Sequence, residues 1–234
     1  MKKSSLFLLM PMFLLVALSS TSFGRDNRNF SNKDFTAIEI GSGMHLNVTQ
    51  SDSYSIEAVG DKDDLNDLDV EQSGDVLKIR FKSSFFGFGR HHRVDFNIQM
   101  PQLTRLDLSG GAKGNIKMDV ASKKFSTGLS GGSQLEGNLK CGNISMELSG
   151  GSRAGLNGAG SNLKIEGSGG SKFRLKDFSS VDVDVELSGG SQATINMNGT
   201  LDADLSGGSH IYYYGKIELG STDFSGGSGI SKGR

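Results

Sequence analysis

The chain has no tryptophan, one cysteine and two prolines in 234 residues, and each shortage closes off a class of protein. A lone Cys141 cannot form an internal disulfide, so a small cross-linked scaffold is excluded. So little proline excludes collagen-like and proline-rich extended segments. Excess charge of one sign is missing too, with 25 Lys and Arg against 26 Asp and Glu. Without a clustered basic surface, nucleic acid is not an expected partner. Beyond Leu18 there is no apolar run of the about 20 residues that a membrane-spanning helix needs, so no transmembrane segment is expected. No Ser/His/Asp or Cys/His arrangement stands out, and His45, His91, His92 and His210 show no ligand spacing. No cofactor and no bound metal are therefore expected.

What is there begins with an export signal. Lys2-Lys3 precedes the apolar stretch Leu6–Leu18, and small residues follow as far as Gly24, the pattern of a secretory signal peptide over residues 1–24. No cysteine lies near that cleavage position, so lipid anchoring is not expected, and the location expected is periplasmic or extracellular. Without Lys2 and Lys3 the chain carries 23 basic and 26 acidic residues, a net charge of about −3. Cys141 lies inside the repeat described next, where a small buried residue is the expectation rather than a reactive thiol.

Glycine is plentiful, 34 residues, about twice the usual 7% share. It recurs as Ser-Gly-Gly at Ser109, Ser130, Ser149, Ser168, Ser188, Ser206 and Ser225, with spacings of 21, 19, 19, 20, 18 and 19 residues. A period near 20 marks a solenoid. An apolar residue precedes most copies (Leu108, Leu129, Leu148, Leu187, Leu205, Phe224), with Gly167 the exception, and a small residue follows each. Between copies the chain alternates apolar and polar, as in Val181-Asp182-Val183-Asp184-Val185-Glu186-Leu187. That period of two means short strands with one buried face. A hairpin array and a parallel β-helix both fit short strands at this period. The β-helix fits better, because it stacks Leu on Leu, Ser on Ser and Gly on Gly. The fold expected is all-β, a right-handed parallel β-helix with coils of three strands and three turns. A β-branched residue at the paired glycines is expected to cost stability in every copy.

The rest divides as a flexible lead over residues 25–34, a β-rich N-terminal section or cap over 35–105, and Ser-Gly-Gly coils over 106–231. In the N-terminal section, strands are expected over Phe35–Ile40, Met44–Thr49, Tyr54–Val59, Val76–Phe81 and Val94–Met100. Asp61–Asp69 is expected as an acidic turn or short helix, and Ser73-Gly74-Asp75 as a hairpin turn. Such a section would shield the open sheet edge of a solenoid, which otherwise templates aggregation.

Ile38-Glu39-Ile40-Gly41-Ser42-Gly43, Gly74-Asp75-Val76-Leu77-Lys78-Ile79, Met100-Pro101-Gln102-Leu103 and the closing Phe224-Ser225-Gly226-Gly227-Ser228 carry a resemblance. In this order, with the Leu-Ser-Gly-Gly-Ser copies between, the sequence resembles the auto-transporter adhesin, head GIN domain family, common in Bacteroidetes. The resemblance covers about residues 35–231 and implies a β-helical fold outside the cytoplasm. It carries over no catalytic residue.

Three sets of residues are candidates for function. Asp107, Glu147, Glu166, Glu186, Asp204 and Asp223 form an acidic column before the motif, a solvated face or a cation-binding one. Arg174, Lys176, Asn196, Tyr212 and Tyr214 share an outward face after it, where aromatic rings and amides suit a sugar or peptide. The glycine-spaced segment 83–93 brings Phe86, Phe88, Arg90, His91, His92 and Arg93 into one contact loop. Adjacent histidines on a strand point to opposite faces, so a paired metal site is not expected there. The function expected is a non-enzymatic adhesion-like module presenting a rigid polar face to a glycan or a cell-surface protein. A polysaccharide-active enzyme and a self-associating envelope protein, a homo-oligomer, are the alternatives.

Overall fold

The computed structural model describes residues 25–82, 91–118 and 123–234. The expected signal peptide, and Phe86, Phe88 and Arg90 of the expected contact loop, lie outside the described residues. The N-terminal section contains β1 (Asp26–Phe30), β2 (Ala37–Ile40), β3 (His45–Gln50), β4 (Ser55–Gly60), α1 (Lys62–Asn66), β5 (Leu68–Ser73), β6 (Val76–Phe81) and β7 (Asp95–Met100). The repeats contribute β8 (Arg105–Leu108), β9 (Lys113–Met118), β10 (Lys124–Leu129), β11 (Gln134–Lys140), β12 (Asn143–Leu148) and β13 (Arg153–Ala159). They continue with β14 (Asn162–Gly167), β15 (Lys172–Ser180), β16 (Asp182–Leu187), β17 (Gln192–Leu205), β18 (His210–Phe224) and β19 (Gly229–Lys232).

These strands form a parallel β-solenoid of about seven turns. Two ladders run its length. One joins the strands before each Ser-Gly-Gly in the order β6, β2, β8, β10, β12, β14, β16 and the second halves of β17 and β18. The other joins the strands after it, β7, β3, β9, β11, β13, β15, β17, β18 and β19. Up to β16 each coil divides into two strands rather than the three expected, whereas β17 and β18 each span a whole coil as one continuous strand. The strand after the motif bends within itself, at Gly137 (φ +147°) in β11 and Gly158 (φ +128°) in β13, instead of breaking at a third turn.

The Ser-Gly-Gly corner follows from backbone sterics. In the first four copies both glycines take positive φ, as at Gly131 (+62°) and Gly132 (+79°). A Cβ on the first would stand 3.1 Å from the amide nitrogen of Gly110 in the coil below. The serine after the pair turns inward: Ser133, Ser152, Ser171, Ser191 and Ser209 are fully buried. Each hydroxyl donates to the carbonyl of the serine that opens its own motif, at 2.6–2.8 Å. A polar group that would be costly to bury is thereby satisfied inside the corner it closes.

The N-terminal section is partly coil and partly cap. β2 and β3 form a full coil whose corner, Gly41-Ser42-Gly43, stacks on Ser109-Gly110-Gly111, with Ser42 at φ +57° and Gly43 at φ +69°. β6 and β7 stack on its outer side. β4 then runs antiparallel to β7, and β5 antiparallel to β6. The lead expected over residues 25–34 is instead an edge strand at its start: β1 pairs antiparallel with β4, and Phe30 packs on Phe96 with ring centroids 6.3 Å apart. Asn27 and Asn29 belong to a strand because β4 offers a free edge, not because of their own propensity.

A charge cluster fastens this cap. The Asp95 carboxylate is buried between the guanidinium groups of Arg25 and Arg93, both at 2.6 Å. Burial pushes its carboxyl up, but hydrogen bonds from Arg93 and Arg25 and their positive charge outweigh this and hold it below its ordinary range. A carboxyl depressed in the folded state contributes stability above its unfolded pKa of about 4, and that stability is lost as pH falls through the folded value. Asp95→Asn is therefore expected to cost about 2–3 kcal/mol at pH 7. Both guanidiniums keep access to water, which holds the loss below that of a fully buried pair. In urea melts from pH 7 to pH 2 the gap between wild type and variant should close below about pH 4. A gap unchanged at pH 2 would mean that the carboxylate's charge plays no part.

Candidate functional site

The register settles which outward side chains stand together. Asp107, Gly128, Glu147, Glu166, Glu186, Asp204 and Asp223 are successive partners across the first ladder, and Glu39 and Lys78 extend the row at the N-terminal end. The row is partly neutralised from the neighbouring outward row. Arg105 bridges Glu39 at 3.0 Å and Asp107 at 2.5 Å, and Lys164 reaches Glu166 at 2.8 Å and Glu186 at 3.6 Å. The hydrogen bond to Glu166 and the charges of both glutamates raise the Lys164 ammonium above its ordinary range.

That neighbouring row, two residues upstream, is Arg105, Ser126, Ser145, Lys164, Asp184 and Asp202. A further two residues upstream stand Lys124, Asn143, Asn162 and Asp182, with Asn162 donating its amide N–H to Asn143 at 3.2 Å. Together the two rows line a groove of about 1070 Å³ that crosses coil after coil from Ala37 and Val76 to Asp202. Phe125, Ile144, Leu163 and Val183, buried in the core, line it from below. Its charge changes along its length: Arg105, Lys123, Lys124 and Lys164 stand towards one end, with Asp75 beyond them, and Asp182, Asp184 and Asp202 stand towards the other. These residues were not singled out in the sequence, although stepping back two positions from the acidic column would have found one row.

The five residues expected on the other face do share the outward side of the second ladder. Arg174, Thr194 and Tyr212 are successive partners, as are Asn196 and Tyr214. The Lys176 ammonium sits 4.4 Å from the centre of the Tyr214 ring, whose hydroxyl donates to the Arg234 carbonyl at 3.1 Å. Tyr212 is 39% exposed and tilts against His210, with ring centroids 4.6 Å apart. Tyr213 turns inward and packs on the core. None of the five lines the large groove.

Of the expected contact loop, His91, His92 and Arg93 are described. Both imidazoles reach one carboxylate: Asp64 lies 3.0 Å from Nδ1 of His91 and 3.1 Å from Nδ1 of His92. The expectation that adjacent histidines diverge assumed a strand, and residues 91–94 are not one. Cys141 is half-buried, and burial pushes its thiol up to about 11, so the thiolate nucleophile is scarce.

The profile of one family, described as "Putative auto-transporter adhesin, head GIN domain", matches residues 34–216. Among solved structures, a Bacteroides fragilis protein described as a putative adhesin superposes with a TM-score of 0.80 at 17% identity, over 89% of this chain and 97% of that one. A Parabacteroides distasonis protein described as a putative lipid binding protein gives a TM-score of 0.69 at 17% identity, over 90% of this chain and 97% of that one. A Parabacteroides merdae protein, also described as a putative adhesin, gives 0.68 at 17% identity, over 90% and 97%. At this identity the likenesses show the fold. No curated protein matches the chain.

Proposed function

Since the chain belongs to the putative auto-transporter adhesin, head GIN domain family, we propose that it is an exported, non-enzymatic adhesion module whose long groove holds an extended glycan. The observation that carries this reading is the groove itself. Hydroxyl, amide and charged side chains recur along it at the strand spacing of about 4.8 Å, a rigid row of polar contacts suited to a chain of repeating polar units. The non-enzymatic reading rests on the description of the family and of two of its structural relatives as adhesins. Among the described residues no helix is long and apolar enough to cross a membrane.

A glycan array is the test. Selective binding is expected, and an Asn143→Ala, Asn162→Ala double variant should weaken it by about tenfold or more, the equivalent of about 1.4 kcal/mol. A Tyr212→Ala, Tyr214→Ala double variant probes the opposite face. If it alone loses binding, the tyrosine face is the site and the groove assignment fails. A second reading has one observation behind it, the apolar side chains lining the groove from below, together with a structural relative described as lipid binding. Binding to phospholipid vesicles with none to any glycan would replace the first reading with that one.

A further inference from the structure

We propose that Asp61, Asp64 and His92 form a binding site for a divalent transition-metal ion of the zinc type. The site lies in the cap, away from both faces described above. Asp61 opens the short helix α1 and Asp64 follows three residues later, which places both carboxylates on one side of a single turn. Asp64 is buried, its side chain 9% exposed, and aims at the segment that leads into β7. Nδ1 of His92 stands 3.1 Å from Oδ2 of Asp61 and 3.1 Å from Oδ2 of Asp64. The His92 backbone N–H also donates to that Asp64 oxygen at 3.0 Å, which locks the residue in place before any ion arrives.

The spacing suits a metal. A tetrahedral ion with arms of about 2.0–2.1 Å separates its ligand atoms by about 3.3 Å. The observed 3.1 Å therefore needs an opening of only a few tenths of an ångström to admit one. The ligand set, one imidazole nitrogen and two carboxylate oxygens, favours zinc and its neighbours over calcium or magnesium, which take oxygen alone. His92 is largely exposed, so the fourth position faces solvent and is open to water or to a donor from another molecule.

A supporting layer stands behind these ligands. His91 places Nδ1 at 3.0 Å from Oδ1 of Asp64, leaving Oδ2 for the ion, and Nε2 at 3.4 Å from Oδ2 of Asp67. Its ring is stacked on Phe81, with centroids 3.7 Å apart and planes 5° apart. A histidine held by an aromatic face and oriented onto a ligating carboxylate is the arrangement that tunes metal sites from outside the ligand shell. With no metal, the same contacts serve as His–Asp hydrogen bonds that pin the segment to α1. The two roles differ in what an added ion does.

The experiment is titration of the EDTA-dialysed protein with Zn²⁺, and separately with Ca²⁺, followed by calorimetry and thermal melting. One Zn²⁺ per chain and a raised Tm are expected, with no comparable response to Ca²⁺. His92→Gln and Asp61→Asn should each lower Zn²⁺ affinity about 100-fold or more, and His91→Gln about 10–100-fold. Asp61→Asn keeps the buried Asp64 and its contacts, so a folded variant is available even if changes at Asp64 unfold the cap. No Zn²⁺ heat and no Tm shift in the wild type, or a response equal in His92→Gln, would overturn the site. Calcium binding as tight as zinc would overturn the assignment of the ion.

Discussion

Replacing Gly137 with valine is expected to cost about 3–5 kcal/mol, at the severe end for a single substitution. Two effects combine there. The residue sits at φ +147°, a region that only glycine enters freely. A Cβ built on it would lie within the van der Waals sphere of the Ile116 carbonyl oxygen, and 2.7 and 2.8 Å from the nitrogen and carbon of the same residue. The backbone cannot withdraw, because β11 is paired with β9 on one side and β13 on the other. A coil that moves takes its neighbours with it, so the loss is felt by the whole stack.

Gly190→Ala is the control. Gly190 lacks a positive φ, and a Cβ on it would meet no atom within 4 Å, so its cost is expected to stay within about 0.5 kcal/mol. Both glycines take positive φ in the first four motifs, whereas in the last three only the first does, Gly189 (φ +76°), Gly207 (φ +69°) and Gly226 (φ +69°). Urea midpoints for the two variants decide the matter. Equal shifts would mean that glycine acts here through chain entropy rather than through the close approach of coils.

The solenoid was legible because its period is written in side chains that occupy equivalent places. Leu108, Leu129 and Leu148 stack in the register that the motif spacing implies, and so do Glu147, Glu166 and Glu186. The coil of β2 and β3 was less visible. Its corner has the left-handed pair of a Ser-Gly-Gly turn but places Ser42 where the other corners have glycine, so the geometry repeats while the letters do not. The position of β6 and β7 was hidden for another reason. They stack outside β2 and β3 although they follow them in the chain, and a local pattern carries no information about that order. The candidate sites divide in the same way. Outward rows could be counted from alternation, whereas the concavity that makes a groove of one of them depends on how the coils bend. The convergence of His91 and His92 on Asp64 depends on the irregular path of residues 91–94, which alternation cannot describe.

Gly167 shows how an exception in the repeat can be structural information. It stands where leucine precedes most other motifs, and a Cβ there would come within 2.7 Å of both the Phe173 ring and the Leu187 side chain. Phe173 belongs to an inward column that alternates in size: Leu135, Ala154, Phe173, Ala193 and Ile211. The large ring takes the volume that the missing leucine leaves, so the two positions are one packing unit. Phe173→Ala is expected to cost about 3–5 kcal/mol through the cavity it opens. Gly167→Leu is expected to cost about 1–3 kcal/mol by overpacking against the same ring. Combined, the two changes restore leucine beside a small residue, the pairing already present at Leu148 and Ala154. The double variant should therefore recover about 0.5–3 kcal/mol relative to the sum of the single losses. Denaturant melts of the four proteins in the cycle measure this, and strict additivity would show that Phe173 and Gly167 were fitted to other neighbours than each other.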